Sequence, residues 1–185
     1  MEENKSNFWK SALNWGVISG VVSIILSVLM YVLGFVPSSF SKIILTILLS
    51  IIVFIVVLVF AMKSYRNSLG GTMTYGQAFK FGLFVILIGT AISSIYTFIF
   101  LTFIDPEYLK NVMEQFMANM EEFMLKHGMS EEQVSTAMEK ASKQALPSPL
   151  KSAIQGFIQI VIFSTIVNLI VSGVMKKNPE IKFEN

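Results

Sequence analysis

Four long stretches without a charged side chain dominate this chain of 185 residues. They cover residues 12–36, 43–62, 81–104 and 152–175. A helix of roughly 20 apolar residues crosses the hydrocarbon core of a bilayer, and each stretch is at least that long. Within lipid, every backbone N–H and C=O group must find its partner inside the protein, so each stretch is predicted to be helical. The sequence therefore predicts an all-α, polytopic membrane protein with four transmembrane helices, built as a single membrane domain over residues 1–185.

Composition supports this class and excludes several others. Hydrophobic residues make up 54% of the chain and charged residues only 14%, whereas a soluble domain carries about 25% charged residues. The net charge of +2 is small, and without a basic face it argues against nucleic-acid binding. The chain has no cysteine, which excludes disulfides, thiolate metal sites and thiol catalysis.

The first stretch is predicted to remain in the protein. It follows Lys5 and Lys10, as the apolar region of a signal peptide would. However, it is much longer than the roughly 7–15 residues of such a region and lacks a small-residue cleavage site. A transmembrane hairpin with the second stretch is therefore the favoured interpretation.

Lysine and arginine placement predicts the orientation in the membrane. The loop 63–80 contains Lys63, Arg66 and Lys80 and no acidic residue, and basic loops remain on the cytoplasmic side. Both termini are then expected in the cytoplasm, because the number of spans is even. The segment 105–151, with eight acidic residues and five lysines, is expected to face outward.

The loop 63–80 also predicts where the third helix begins. Thr74 and Gln77 have the spacing of a capping box, so the helix is expected to start at Tyr75, before the apolar stretch. A helix from Tyr75 to Ile104 is longer than the bilayer core is thick. It is expected either to tilt and protrude or to bend near Gly82.

The outward segment 105–149 is predicted to form a helical hairpin. Asp105 can cap a helix whose first residue is Pro106, where the missing N–H costs nothing. His127-Gly128 is typical of the end of that helix.

The second helix of this hairpin is predicted to follow Ser130. Ser130 and Gln133 again have the spacing of a capping box. The helix is expected to continue to Leu146-Pro-Ser-Pro149, where the prolines stop it.

Apolar side chains recur at spacings of three and four along the first helix of the hairpin. Such a face buries against the second helix, the outer leaflet or another protein, so we expect it to be an interaction face. A less favoured alternative is a soft-metal face, because the thioethers of Met113, Met117, Met120 and Met124 suit Cu(I); otherwise no metal or cofactor is expected. The predicted interaction face comprises Leu109, Met113, Phe116, Met117, Met120, Phe123 and Met124.

The four spans contain no ionisable side chain, which argues against a proton-driven transporter. Their strongest polar groups are four amides: Asn14, Gln155, Gln159 and Asn168. Amides at such positions mostly hold helices together, and this interpretation is favoured over a substrate path. Gly16 and Gly20 permit close helix approach, for which packing within the bundle is favoured over self-association.

Two stretches carry a family likeness: Gly70-Gly-Thr-Met-Thr-Tyr-Gly-Gln-Ala-Phe-Lys-Phe-Gly82 and Ile104-Asp-Pro106. With the layout of spans around them, they resemble a family of small bacterial membrane proteins known as a domain of unknown function, number 4199. The resemblance implies four spans in a bacterial membrane. It implies no activity, ligand or catalytic residue.

Two functions are expected from these features. The first is a non-enzymatic scaffold or accessory protein of the bacterial inner membrane, whose outer hairpin contacts a protein partner or a second copy. The alternative is a small transporter, or a membrane protein that binds lipid or another small molecule, with a path along Gln155, Gln159 and Asn168. No pattern of catalytic residues is present around His127, the only histidine, so an enzyme is not expected. The lipid bilayer is the one partner that the sequence itself requires.

Overall fold

The structure is a computed structural model that describes residues 2–143 and 145–178. Within these residues it is built from helices, and β structure is limited to one isolated bridge between Met73 and Lys177. The all-α prediction is confirmed. The helices are α1 (Glu2–Val32), α2 (Phe40–Ser68), α3 (Tyr75–Ile99) with a π-helical extension (Phe100–Ile104), α4 (Tyr108–Lys126), α5 (Glu131–Ser142) and α6 (Pro149–Met175).

Four of these helices are long and apolar enough to cross a membrane. They contribute 26 residues from α1, 29 from α2, 30 from α3 with its extension and 27 from α6. At about 1.5 Å per residue, each exceeds the roughly 30 Å of a hydrocarbon core. The predicted four-span architecture is confirmed. Only α1 ends early, at Val32 rather than Val36, because Gly34 adopts a positive φ of 66° and turns the chain.

Helix α3 is the centre of the bundle, with α1 and α6 packed against it. Glycines bring α1 and α3 into close contact. A Cβ atom built on Gly16 would lie 2.6 Å from Cβ of Ile88, and one on Gly20 would lie 2.8 Å from Cβ of Ile92. The two glycines therefore pack within the bundle, as the sequence favoured.

Helix α2 contacts the bundle mainly through its last third. Its buried residues are Leu58, Ala61, Met62 and Tyr65, and the Tyr65 ring stacks on Phe81 of α3 with centroids 4.2 Å apart. The first two thirds of α2 contain no buried residue. Since α2 is joined to its neighbours near one end, a space remains between the helices towards the other.

Each end of the bundle is named after a residue that lies there. The Arg66 end carries residues 69–74 and 176–178, where Met73 and Lys177 exchange two backbone hydrogen bonds of 2.8 Å. Arg66 also donates to the backbone oxygen of Met175. The Asp105 end carries the α1–α2 loop, residues 33–39, together with α4 and α5.

The start of α3 follows the prediction. Thr74 caps the helix, and its side chain and that of Gln77 form both bonds of a capping box. The helix begins at Tyr75 and continues without interruption through Gly82; a bend there stays a prediction. Gly82 has a packing role, because its missing side chain makes room for Asn168.

The start of α4 corrects a prediction. The helix begins at Tyr108 rather than Pro106, and Asp105 does not cap it. The carboxylate of Asp105 instead accepts a hydrogen bond from the Tyr31 hydroxyl, 3.2 Å away. A long-range partner on α1 thus replaces the local cap that sequence spacing suggested.

The remaining boundaries of α4 and α5 mostly agree with the sequence. His127 is the C-cap of α4, and Gly128 follows with a φ of 83°. Ser130 and Gln133 form the predicted capping box at the start of α5. However, α5 ends at Ser142, before the prolines that were expected to stop it. The two helices contact each other; their position outside the membrane stays a prediction.

Candidate functional site: a cavity among the membrane-spanning helices

A cavity of about 890 Å³ lies among α1, α2, α3 and α6, with Tyr108 and Leu109 at the start of α4 lining one end. Helix α2, which has no buried residue before Leu58, forms one wall. The α2 side chains that line the cavity include Thr46, Ser50, Val53 and Val57. Its size falls within the range of about 300–1,000 Å³ that is typical of small-molecule sites.

The cavity wall combines apolar surface with hydroxyl groups, and among the described residues no charged side chain lines it. Five of its ten Ser and Thr hydroxyls donate to a carbonyl one turn earlier in their own helix. Examples are Ser50 to Thr46 at 2.8 Å and Thr97 to Ser93 at 3.0 Å. With their donors already used, such hydroxyls cost little beside a hydrocarbon chain. The Ser and Thr residues of the wall are Ser19, Ser23, Ser27, Thr46, Ser50, Thr90, Ser93, Thr97, Ser152 and Ser164.

One buried hydroxyl of the wall has no partner among the described residues. The Ser152 Oγ atom is buried and makes no hydrogen bond within the described part of the chain. A buried polar group without a partner costs free energy, about 1–3 kcal/mol by the usual measure. Ser152 lies in the first turns of α6, at the Asp105 end, so a polar ligand atom at that end could satisfy it.

Aromatic rings form the Asp105 end of the cavity. Tyr31, Tyr96, Phe100 and Tyr108 all line it. The Phe100 ring lies 5.0 Å from Tyr31 and 5.3 Å from Tyr108, edge to face in both cases. Burial, followed by the nearby Asp105 carboxylate and Tyr31, raises the pKa of Tyr108 above its ordinary value. The phenol of Tyr108 is therefore neutral at physiological pH.

The π-helical extension of α3 contributes to this end. Its backbone bond runs from Asp105 N–H to the Phe100 carbonyl, at 2.9 Å, five residues back. Phe100 and Leu101 of the extension are buried and line the cavity. The extra residue of a π turn shifts the side chains that follow. Asp105 is thereby brought to Tyr31 on α1.

The structure separates the four intramembrane amides. Asn168 is fully buried, donates to the Phe79 carbonyl of α3 at 3.0 Å and accepts from Ser172. Asn14, Gln155 and Gln159 are exposed. Of the four, Gln159 alone lines the cavity. The amides therefore do not form one continuous path.

The predicted interaction face of α4 is also divided. Leu109 lines the cavity, and the rings of Phe116 and Phe123 contact Phe40 at the start of α2. Met120 borders a groove of about 320 Å³ between α4 and residues 38–41.

The four methionines of the face differ in exposure. Met113 is exposed, whereas Met117, Met120 and Met124 are half-buried. His127, one turn beyond them, has its Nδ1 atom 2.7 Å from the Phe123 carbonyl. Only the other ring nitrogen is then free for a ligand.

Sequence reasoning missed the wall of the cavity. The sequence does contain a signal for this wall, namely a series of hydroxyl side chains spaced four residues apart. On α1 these are Ser19, Ser23 and Ser27, followed by Tyr31; on α3 they are Ser93 and Thr97. All six of these side chains line the cavity.

Fold and site together define a four-span helical membrane protein with a cavity inside its membrane-spanning layer. The chain belongs to the family described as "Protein of unknown function (DUF4199)", whose model matches residues 14–177. The resemblance noted in the sequence is thereby confirmed. No curated protein and no solved structure matches the chain.

Proposed function

We propose that this protein binds an amphiphilic molecule taken from the membrane, a lipid or a lipid-like small molecule, in the cavity between its helices. The cavity itself carries the proposal. It lies among four membrane-spanning helices, where the surrounding solvent is lipid, and its wall is apolar with hydroxyls, half of which bond to their own helices. An acyl chain fits such a wall better than an ion or a charged metabolite does.

The way α2 is attached supports entry from the bilayer. Helix α2 packs on the bundle through residues 54–65 and has no buried residue before Leu58. We infer that the cavity opens to the lipid phase beside the first two thirds of α2. A ligand of the membrane needs no passage through water to reach the site.

Lipid retention after purification tests the proposal. The protein is extracted in mild detergent and its bound molecules are measured by native mass spectrometry. Val53 and Val56 provide a matched pair on α2, because Val53 lines the cavity and Val56 is exposed without lining it. Val53→Trp places a bulky indole in the cavity and is expected to cost about 1–3 kcal/mol of binding, roughly a 5- to 150-fold loss of affinity.

The control variant Val56→Trp is expected to retain lipid as the unmodified protein does. Equal retention by both variants would contradict the proposal, and so would an unmodified protein that retains no lipid. Thermal unfolding of both variants confirms that each is folded.

An interaction role for α4 and α5 is the second candidate function. Its support is a set of apolar side chains that the chain leaves uncovered: Met113, Phe123, Leu125 and Met129 are each 37–44% exposed. Exposed apolar patches mark contact sites. A protein partner or a second copy of the chain would bind there, and the protein would act as a scaffold.

A charge substitution distinguishes this second candidate. Leu125→Glu places a carboxylate in the exposed patch and is expected to release a stoichiometric partner, measured by co-purification from native membranes. Gln115→Glu adds the same charge at an exposed polar position of α4 and is expected to leave the complex intact. A protein that purifies alone before either substitution would contradict the scaffold role.

We also propose that the protein resides in a bacterial cytoplasmic membrane with both termini in the cytoplasm and without enzymatic activity. The basic residues Lys63, Arg66 and Lys80 support this orientation. It places the Asp105 end of the cavity, with α4 and α5, in the outer half of the molecule. The absence of cysteine and the single histidine support a binding function over catalysis.

A further inference from the structure

We propose that the Asp105 end of the cavity recognises an ammonium group, so that the preferred ligand is an amphiphile with a cationic headgroup. The inference rests on the proposed lipid-binding function and names the chemistry of the headgroup. Three observations carry it: a group of aromatic rings, an acidic residue without a basic partner, and a buried hydroxyl without any partner.

The aromatic rings provide the first element of recognition. Tyr31, Tyr96, Phe100 and Tyr108 line the same end of the cavity. Tyr31 and Tyr108 lie with their centroids 6.0 Å apart, and each packs against Phe100. Aromatic rings attract cations through the negative charge above their faces, and groups of such rings bind ammonium ligands. They attract neither anionic nor neutral headgroups in this way.

Asp105 provides the negative charge. The ion pairs in the described part of the chain are Glu122–Lys126 and Glu139–Lys143, so the carboxylate of Asp105 has no basic partner there. It does not itself line the cavity; it is half-buried and lies behind Tyr31, from which it accepts a hydrogen bond. Because Tyr31 donates its proton to Asp105, the lone pairs of its hydroxyl oxygen remain available. An ammonium group beside Tyr31 would contact this hydroxyl oxygen. The Asp105 carboxylate, on the other side of the hydroxyl, would attract the positive charge.

Ser152 provides a polar contact for the rest of the headgroup. Its buried Oγ atom has no hydrogen-bond partner within the described residues, and it lines the cavity. The residue belongs to the beginning of α6, at the same end as Asp105. A hydroxyl can both donate and accept, so it can bond an ester or hydroxyl oxygen next to the ammonium group. The wall beyond it suits the acyl chains.

A preference for an anionic headgroup has no support from the described residues at this end of the cavity. Among the described residues no Lys or Arg lines the cavity. An anionic headgroup at Tyr31 would therefore lie near the Asp105 carboxylate without a compensating cation. The remaining alternative is a neutral headgroup, which would gain nothing from Asp105 and is an outcome of the test.

Three lipids with the same two oleoyl chains test the inference. Their headgroups are a trimethylammonium group in dioleoyl trimethylammonium propane, a hydroxyl in dioleoylglycerol, and an anionic phosphate ester in dioleoylphosphatidylglycerol. The full-length protein in neutral detergent receives all three at equal concentration, and native mass spectrometry measures the retained fraction of each. We expect the trimethylammonium lipid to be preferred by roughly tenfold over the neutral one.

The variant Asp105→Asn removes the charge while keeping an acceptor for Tyr31. It is expected to lower the preference over dioleoylglycerol to about twofold or less while dioleoylglycerol itself is still retained. Asp105→Glu keeps the charge and is expected to keep at least half of the preference.

Each outcome separates the headgroup inference from the function on which it rests. Equal retention of the three lipids by the unmodified protein overturns the headgroup inference and leaves lipid binding in place. A preference that Asp105→Asn does not change also overturns it. Retention of none of the three lipids overturns the lipid-binding function itself.

Discussion

Asn168 illustrates how a polar side chain inside a membrane protein is used for packing. It is fully buried, with its amide donating to the Phe79 carbonyl and accepting from Ser172. Gly82 makes the contact possible, because a Cβ atom there would collide with Oδ1 of Asn168. The amide and the glycine together hold α6 against α3.

Alanine substitutions on α6 test this role at the residue scale. Asn168→Ala removes the hydrogen bonds of the buried amide and is expected to destabilise the protein by about 0.6–2 kcal/mol. Gln155→Ala is the control, since Gln155 is an exposed amide of the same helix and should change stability by less than about 0.5 kcal/mol. Unfolding in a denaturing detergent titration measures both. Equal effects would contradict the packing role.

At the level of elements, the contact between α1 and α3 depends on glycine in a similar way. The backbones approach so closely at Gly16 that a side chain there would collide with Ile88. The cavity lies beyond this contact, between the same two helices and α2. The α1–α3 contact therefore fixes one wall of the cavity.

Gly16→Ala is expected to force these helices apart, at a cost of about 1–3 kcal/mol. Gly156→Ala serves as the control, because a Cβ atom at Gly156 meets nothing within 4 Å. The control should be neutral or slightly stabilising, since alanine favours helix over glycine. Thermal unfolding in detergent compares the two variants. A Gly16→Ala protein as stable as the control would show that the close contact is not required.

The sequence predicted the elements better than their arrangement. Helices and helix ends that depend on local signals lie where they were predicted. These signals are the uncharged stretches, the capping boxes at Thr74 and Ser130, and Gly128. Asp105 was misassigned because its partner, Tyr31, is 74 residues away. The cavity was missed for the same reason: it arises from the divergence of α2, which depends on how four helices pack.

For the whole molecule, orientation decides which side of the membrane the Asp105 end faces. The chain has no cysteine, so single cysteines report on sidedness without background. In intact cells, a membrane-impermeant thiol reagent is expected to label Ser135→Cys on α5 and to leave Asn67→Cys unlabelled until the membrane is permeabilised. Both positions are exposed. The reverse pattern would invert the proposed topology.

The central claim is that lipid occupies the cavity. The methyl group of Thr90 is a direct probe of that occupancy. Thr90 is buried between the helices, 7% exposed, and lines the cavity. A bound acyl chain would therefore bring lipid protons to a methyl group that lies inside the bundle, away from its outer surface. Ile170 of α6, 67% exposed, reports on ordinary contact with the surroundings.

The decisive measurement is the nuclear Overhauser effect between a protonated lipid and methyl groups of the protein in deuterated detergent. We predict cross-peaks from acyl-chain protons to the methyl groups of Thr90 and Thr97, and their loss in Val53→Trp. Cross-peaks to Ile170 alone, with none to Thr90 under conditions of saturating lipid, would contradict the account.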